Sequence, residues 1–418
     1  MIPNSPIRPD RIAADIDALA AITELDRPYT RRAFTPKFLE GRAWLQEEMG
    51  RNGFAHRIDA AGNLIATIPG QRPELGIIMV GSHSDTVPDG GRFDGIAGVS
   101  AALEVARALK DQGITPDHTL EIVDFLAEEV SIFGVSCVGS RGIAGTRPDE
   151  WLARNSDGLT LEAGIVQVGG DPAVDAKRSD IKAFLELHIE QGPVLQDQFI
   201  DIGVVTAIAG ITRLEILVEG RADHAGTTPM ASRKDALTTA AWIALGVEEL
   251  GKALAQQGDF HFAATVGEFV MEPNAANVVP AKVRMLIDAR AEHRPDMERF
   301  IEELGRGIAG IAEKTGVTVS APRIVSDNQP TPCDSELLDI LDLACDSAGA
   351  THRRMASGAG HDTAWMARIA KSAMIFVPCV DGRSHSPDEF ASTEDIALGA
   401  AVLLDAVLAL DKKLQEDQ

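Results

Sequence analysis

The stretch Gly81-Ser-His-Ser-Asp-Thr-Val-Pro-Asp-Gly-Gly-Arg-Phe-Asp-Gly95 constrains this chain more than any other, because it sets two side chains of metal-ligand type, His83 and Asp94, eleven residues apart. The run before it, residues 75–80, is short, apolar and β-branched, the composition of a buried parallel strand. Residues 96–109, after it, carry apolar side chains at helical spacing. His83 therefore falls at the carboxyl end of a strand and Asp94 on the loop that enters a helix, where open α/β sheets bind their ligands. Asp85 is spaced to accept the His83 ring N–H and so to set which nitrogen faces a metal. A single His at a strand end is equally an ordinary hydrogen-bonded side chain, so the reading needs further residues.

The 418 residues exceed one ordinary core and point to roughly two or three domains. Two helices are expected over 10–52, the second from 35 to 49 and stopped by Gly53, then a hairpin of 54–58 with 64–68 around Asp59-Ala-Ala-Gly-Asn63. Apolar strands follow at 119–126, ending in Ala127-Glu128-Glu129, and at 182–189, ending in Glu190-Gln-Gly-Pro193. Strands alternating with helices mean a mixed, mostly parallel α/β sheet domain. Near Gly210 the order changes to strand 211–218, helix 232–254, strands 261–270 and 282–291, helix 296–314 and strand 317–322. That is a ferredoxin-like β-α-β-β-α-β unit. The α/β pattern resumes after 325 with helix 335–347, strand 374–377 and helix 393–414. The expected organisation is a first domain of residues 1–209 and 326–418, interrupted by an inserted α+β domain of 210–325.

Adjacent side chains on a strand face opposite ways, so Glu128 and Glu129 can share one site only where the strand ends and its backbone turns. One would then ligate a metal while the other acts as general base. A solvated Glu-Glu pair is the plain alternative. His188 also closes an apolar strand, and His385 lies in Ser384-His-Ser-Pro387 after another. His83, Asp94, Glu129, His188 and His385 thus all fall at strand ends or on the loops beyond them. Two His and one carboxylate per ion, with Asp94 shared, is a dizinc-type set with ions roughly 3.5–4 Å apart.

At these blocks, together with Leu187-His-Ile-Glu-Gln-Gly-Pro-Val194, Ala222-Asp-His-Ala-Gly-Thr-Thr-Pro-Met230, Glu272-Pro-Asn-Ala-Ala-Asn-Val-Val-Pro280 and Ser357-Gly-Ala-Gly-His-Asp362, the chain resembles the hydantoinase/carbamoylase branch of the dinuclear zinc metallopeptidase superfamily. That branch includes N-carbamoyl-L-amino acid hydrolases, β-ureidopropionases and allantoate amidohydrolases. The resemblance implies that His83 and His188 hold one ion and Glu129 and His385 the other, that Asp94 bridges them, and that Glu128 is the general base. It further implies that His224 and Asn277, in the inserted lid, reach the substrate in a neighbouring subunit's cleft, making a homodimer through that domain. Arg290 would grip the substrate's α-carboxylate and Gln191 would line its pocket, while the peptide bond after Asp94 would be cis. A bidentate clamp suits an Arg on an otherwise apolar strand; an ion pair with Asp288 or Glu292 is the alternative. Gly358 and Gly360 suit close backbone approach to substrate, and His361 is either structural or in contact with it. His56, His118, His261, His293 and His352 join no constellation.

The chain departs from the family pattern after the glutamate pair. Relatives continue Glu-Glu-Gly-Ser-Arg-Phe, whereas here Glu128-Glu-Val-Ser-Ile-Phe133 removes a glycine and a positive charge. The expected activity is therefore two-metal hydrolysis of the carbamoyl or amide C–N bond of an N-carbamoyl-L-amino acid or related ureido acid, with Zn, Mn, Co or Ni as metal. Alternatives are an aminoacylase or dipeptidase on the same scaffold and, more remotely, a catalytically silent binding protein. A formal charge of −24 argues against nucleic acid and anionic membranes as partners, though not against a small anionic substrate held by dications and local arginines. No apolar run reaches membrane-spanning length, the start Met1-Ile-Pro-Asn-Ser-Pro6 has no leader pattern, and Cys137, Cys333, Cys345 and Cys379 form no CxxC pair. A cytoplasmic protein with buried thiols is expected.

Overall fold

The computed structural model describes residues 5–257 and 260–416; the first four residues, on which the expectation about a leader partly rests, lie outside them. Among the described residues no helix is long and apolar enough to cross a membrane. The chain divides into two compact units. One comprises the chain up to Thr206, Pro332–Arg354 and everything from His361 on; the other is Ala207–Thr331 with Met355–Gly360.

In the larger unit the strands lie side by side in the order Ala55–Ile58, Leu64–Ile68, Thr119–Phe125, Ile77–His83, Ile181–Ile189, Lys371–Val377, Ile202–Ile208, Thr331–Pro332, with His352–Ser357 paired to Ile202–Ile208. The four central strands, from Thr119–Phe125 to Lys371–Val377, are mutually parallel. Every residue of Thr119–Phe125 is buried, as the two-sided cover of a parallel sheet requires. The Ile96–Asp111 helix is buried along nearly its whole length, so its two buried charges, Glu104 and Arg107, need partners. Glu104 binds Arg11 at 2.7 Å and Arg107 binds Asp15 at 2.6 Å, satisfying charges that would be costly alone.

The smaller unit has strand order Phe262–Glu272, Lys282–Ala291, Gly210–Glu219, Thr318–Val319, with Arg323–Asp327 also on Gly210–Glu219, all antiparallel. The helices Ala236–Ala255 and Arg294–Thr315 bury Ile243, Val247, Phe300 and Leu304 against Leu214, Ile216, Met285 and Ile287. This is the ferredoxin-like arrangement.

Several details differ from the sequence pattern. The helix expected from 232 begins at Ala236, because the Asp235 side chain accepts the Thr238 N–H and caps it there, after a separate turn at Met230–Ser232. The strand expected at 317–322 shrinks to Thr318–Val319 and resumes as Arg323–Asp327 with a register shift between Ile324 and Ser326. Ile202–Ile208 had no expected strand: it leads into Gly210–Glu219 with one intervening residue, so no turn residues mark its end.

Candidate metal centre

The parallel register brings the ligand-type residues together. His83 is the last residue of its strand and pairs with Phe125, three residues before Glu128. His188 pairs with Phe376 on the strand that leads to the His385 loop. Four adjacent strands thus end at one edge of the sheet and deliver, in sheet order, the glutamate pair, His83, His188 and His385.

Ligand atoms of His83, Asp94 and His188 all lie within 4.8 Å of one another, as do those of Asp94, Glu129 and His385. Asp94 Oδ1 is 3.4 Å from His83 Nε2 and 3.3 Å from His188 Nε2, while Oδ2 is 3.5 Å from His385 Nε2, which in turn lies 2.9 Å from Glu129 Oε1. Each carboxylate oxygen of Asp94 faces one group. The outer nitrogens are tied down by main chain: His188 Nδ1 contacts Ile189 O at 3.0 Å and His83 Nδ1 contacts Asp85 O at 3.1 Å. That sets the Nδ1–H tautomer and turns both Nε2 lone pairs inward. The Asp85 carboxylate is farther from His83, at 3.6 Å, and accepts the Glu128 main-chain N–H at 3.2 Å. The main-chain carbonyl, nearer to the ring, orients it.

These groups fit divalent ions. His83 Nε2 has its lone pair toward Asp94 Oδ1 and lies 3.7 Å from Glu128 Oε2. Lone pair against carboxylate is repulsive unless a cation lies between them. Protonation is the other remedy: burial works to lower the His83 pKa, but the Asp85 and Asp94 contacts and the Glu128 charge outweigh it and raise it well above the ordinary value. His385 is pushed up to about 11 by its contacts with Asp94 and Glu129. Burial opposes ionisation of Asp94, yet the rings of His188, His385 and His83 hold its carboxyl well below the usual range.

The peptide bond after Asp94 is not cis; the one cis bond among the described residues is Glu272–Pro273. The turn is made instead by Gly95, whose φ of 68° favours glycine and whose absent Cβ would lie 2.4 Å from the His83 ring. Gly95 N–H also donates to His188 Nε2 at 3.1 Å, marking where that nitrogen's lone pair points.

The backbone turn required by the glutamate pair occurs at Ala127, with φ 54°. A left-handed Ala costs about 1–2 kcal/mol. Three hydrogen bonds, Cys137 N to Glu128 O, Val138 N to Ala127 O and Gly139 N to Leu126 O, at 2.9, 3.1 and 2.8 Å, offset it at about 1 kcal/mol each. Gln191 and His385, which also belong to this site, take positive φ as well. Burial, then the charges of Glu129, Asp362 and Asp85, push the Glu128 carboxyl well above its ordinary value against the opposing pull of His83. A carboxylate kept this eager for a proton is suited to general base work.

Gln191 Nε2 donates to Asp94 Oδ2 at 2.6 Å, so it holds the shared ligand as well as facing the site. His361 is buried with its ring 4.6 Å from that of His188 and 5.7 Å from Phe376. Burial and the neighbouring His188 lower its pKa well below the ordinary value, keeping the ring neutral. The expected substrate residues of the other unit fall into two groups. His224 and Asn277 are exposed neighbours, with Ala225 N–H donating to Asn277 O at 3.0 Å, and lie beyond the Lys282 end of the Lys282–Ala291 strand. Arg290 is at the opposite end, where Nε donates to Asp288 at 2.8 Å and Nη1 to Gly358 O at 2.7 Å. The strand has ten residues, so its ends are about 30 Å apart at about 3.3 Å per residue. Gly358 is needed because His261 Nε2 would lie 2.7 Å from a Cβ there, whereas Gly360 has open space around it. His261 thus packs at the Arg290 end.

Glu389, a buried acid on the His385 loop that binds the Asp94 segment, lies just beyond the Ser384-His-Ser-Pro387 motif and carries no sequence signal of its own. Cys137, expected only as a buried thiol, donates from its thiol to Glu128 Oε1 at 3.5 Å. All four cysteines are free and buried. At the altered segment, Val130 has ordinary φ and is 55% exposed, Ile132 packs against the Phe34–Phe133 cluster, and Arg32 Nη2 braces the main chain through Val130 O and Ser131 O at 3.1 and 2.9 Å.

Residues 79–409 match the model of Peptidase family M20/M25/M40. The chain belongs to this family. An N-carbamoyl-L-amino-acid amidohydrolase of Paenarthrobacter aurescens is 36% identical over 409 residues, covering 96% of this chain and 98% of its own length. A ureidoglycolate hydrolase of Oryza sativa subsp. japonica is 36% identical over 417 residues, 96% of this chain and 84% of its own. Among solved structures, a hydantoinase/carbamoylase family amidase from Burkholderia multivorans superposes with a TM-score of 0.91 at 34% identity, covering 96% of this chain and 98% of that one. The resemblance carried by the sequence motifs therefore holds, and this M20 protein is an enzyme, a hydrolase of C–N bonds other than peptide bonds.

Proposed function

We propose that this M20 enzyme is a two-metal amidohydrolase acting on an N-carbamoyl-L-amino acid or related ureido acid. Water adds to the carbamoyl carbon and the C–N bond breaks, so a ureido acid yields the amine, ammonia and carbon dioxide. The observation that carries the reading is the sharing of Asp94 between two ligand groups with Glu128 beside them. His83, His188 and Asp94 would hold one ion; Glu129, His385 and Asp94 the other. Bound there, two divalent ions (Zn, Mn, Co or Ni) supply Lewis acidity to the carbonyl and acidity to the attacking water. Glu128 takes the water's proton and passes it to the leaving nitrogen. Arg290 and Asn277 grip the substrate carboxylate, His224 donates to the developing oxyanion, and Gln191 and the Gly360 backbone line the pocket.

The separation of His224 and Asn277 from Arg290 along one strand supports a homodimer through the inserted unit. An amino-acid-sized substrate is far shorter than about 30 Å, so the two groups meet one substrate only if they come from different subunits. The four free, buried cysteines suit a reducing compartment, the cytoplasm. The second reading, an aminoacylase or dipeptidase on the same scaffold, is kept by the segment Val130-Ser-Ile132, which departs from the pattern that the resemblance implies.

The deciding experiment is ammonia release by manganese- or zinc-loaded protein from N-carbamoyl-L-amino acids, ureidopropionate, ureidoglycolate and allantoate, with N-acetyl amino acids alongside and Glu128→Gln as control. Turnover of a ureido compound that the control abolishes supports the proposal. Cleavage confined to acyl amides would replace it with the second reading.

A further inference from the structure

Asp94 must present its two oxygens in two directions at once, and the residues that enforce this come from the far end of the chain. Glu389, only 3% exposed, accepts two main-chain N–H groups on Oε1, from Phe93 at 2.8 Å and from Asp94 itself at 2.9 Å. Its Oε2 lies 2.8 Å from Ser384 Oγ, and the same hydroxyl lies 2.8 Å from Asp94 Oδ2. Gln191 Nε2 completes the ring, 2.6 Å from Asp94 Oδ2 and 3.2 Å from Ser384 Oγ. The Glu389 carboxylate is seated against Gly91: a Cβ at that position would lie 1.9 Å from its Cδ and Oε1. Phe390 closes the contact by meeting Phe93 edge-on at 5.5 Å.

We propose that Glu389 is a positioning residue for Asp94, a carboxylate clamp that fixes the 91–95 loop by its backbone and the Asp94 side chain through Ser384. The inference rests on the reading of Asp94 as the shared metal ligand. Glu389 touches neither substrate nor ion in this role. Two N–H groups pointing at one oxygen fix the orientation of the Asp94 peptide, and Ser384 with Gln191 fixes the carboxylate plane. Without Glu389, two buried N–H groups lose their acceptor, the loop relaxes into the space vacated beside Gly91, and Asp94 no longer faces both groups. Partners of this kind around a metal ligand are worth about 10- to 100-fold in metal affinity.

The test uses the full-length protein and three variants. Metal stoichiometry is read by elemental analysis after dialysis, affinity by competition with a chromophoric chelator, and folding by circular dichroism. Glu389→Ala is expected to lose about 10- to 100-fold in affinity with an unchanged spectrum. Glu389→Gln is expected to stay near wild type, because its amide oxygen accepts both N–H groups and its NH2 donates to Ser384 Oγ. Gly91→Ala displaces the carboxylate from the opposite side while leaving Glu389 in place, and is expected to reproduce the Glu389→Ala loss; it also serves should Glu389→Ala fail to fold. Wild-type affinity in both Glu389→Ala and Gly91→Ala overturns the clamp, and so does a Glu389→Gln protein as weak as Glu389→Ala, since charge and not hydrogen-bond geometry would then be at work. A wild-type protein that binds no divalent ion overturns the metal reading itself, a distinct result.

Discussion

His385 Nε2 lies 3.5 Å from Asp94 Oδ2 and 2.9 Å from Glu129 Oε1, and these two contacts make the imidazole a strong base. Asp94 and Glu129 push its pKa up to about 11, so at neutral pH it carries a proton that an incoming ion must displace. Metal affinity is therefore expected to rise with pH between about 6 and 9, by up to about tenfold per unit for that one proton. Proton release on loading, measured in weak buffer with a pH indicator, checks the sign. Affinity that is flat or falls with pH would exclude His385 as a ligand.

Glu128→Gln is expected to lower kcat by about 10²- to 10⁴-fold, the usual range for a general acid-base group, with metal content unchanged. It also has a stability consequence. The folded Glu128 pKa lies well above its ordinary value of 4.5, so the folded state holds that proton more tightly than the unfolded chain does. The associated stability is present below 4.5 and is lost as the pH rises through the raised value. Removing the charge should then raise the Tm of the metal-free protein at neutral pH, measured by thermal melts of both proteins after chelation.

Arg290→Ala removes a guanidinium from the end of its strand. Loss of a charged hydrogen-bonding partner for a carboxylate costs about 1.5–3 kcal/mol, so KM should rise about 10- to 100-fold while kcat changes little. Steady-state kinetics decide; a fall in kcat at constant KM would assign Arg290 to its ion pair with Asp288 and not to substrate.

Subunit mixing tests whether His224 works across a dimer. Glu128→Gln and His224→Ala proteins, each inactive alone, should regain activity when unfolded and refolded together. A mixed dimer then has one cleft with its own Glu128 and a partner's intact His224. Random pairing gives about a quarter of wild-type activity. No recovery, with mixed dimers present by mass spectrometry, would mean that His224 acts within its own subunit.

The sequence by itself determined what each segment ends in. Apolar runs closing on His83, Glu128-Glu129 and His188 are local facts, because strand periodicity and strand ends are set by neighbouring residues. They place candidate ligands at strand ends, while the pairing of those ligands and the choice of Glu128 as general base came from the resemblance of the motifs to a known family. Tertiary structure alone decided which strands lie side by side, and hence that four carboxyl ends meet at one edge. It alone could reveal Glu389, whose hydrogen bond to Asp94 spans 295 residues and leaves no periodic trace. It also decided that a carbonyl of Asp85 holds His83 and that Gly95 turns the Asp94 loop without a cis bond. Backbone direction at a turn depends on what packs against it, and here that is a ring and a carboxylate brought in from distant parts of the chain.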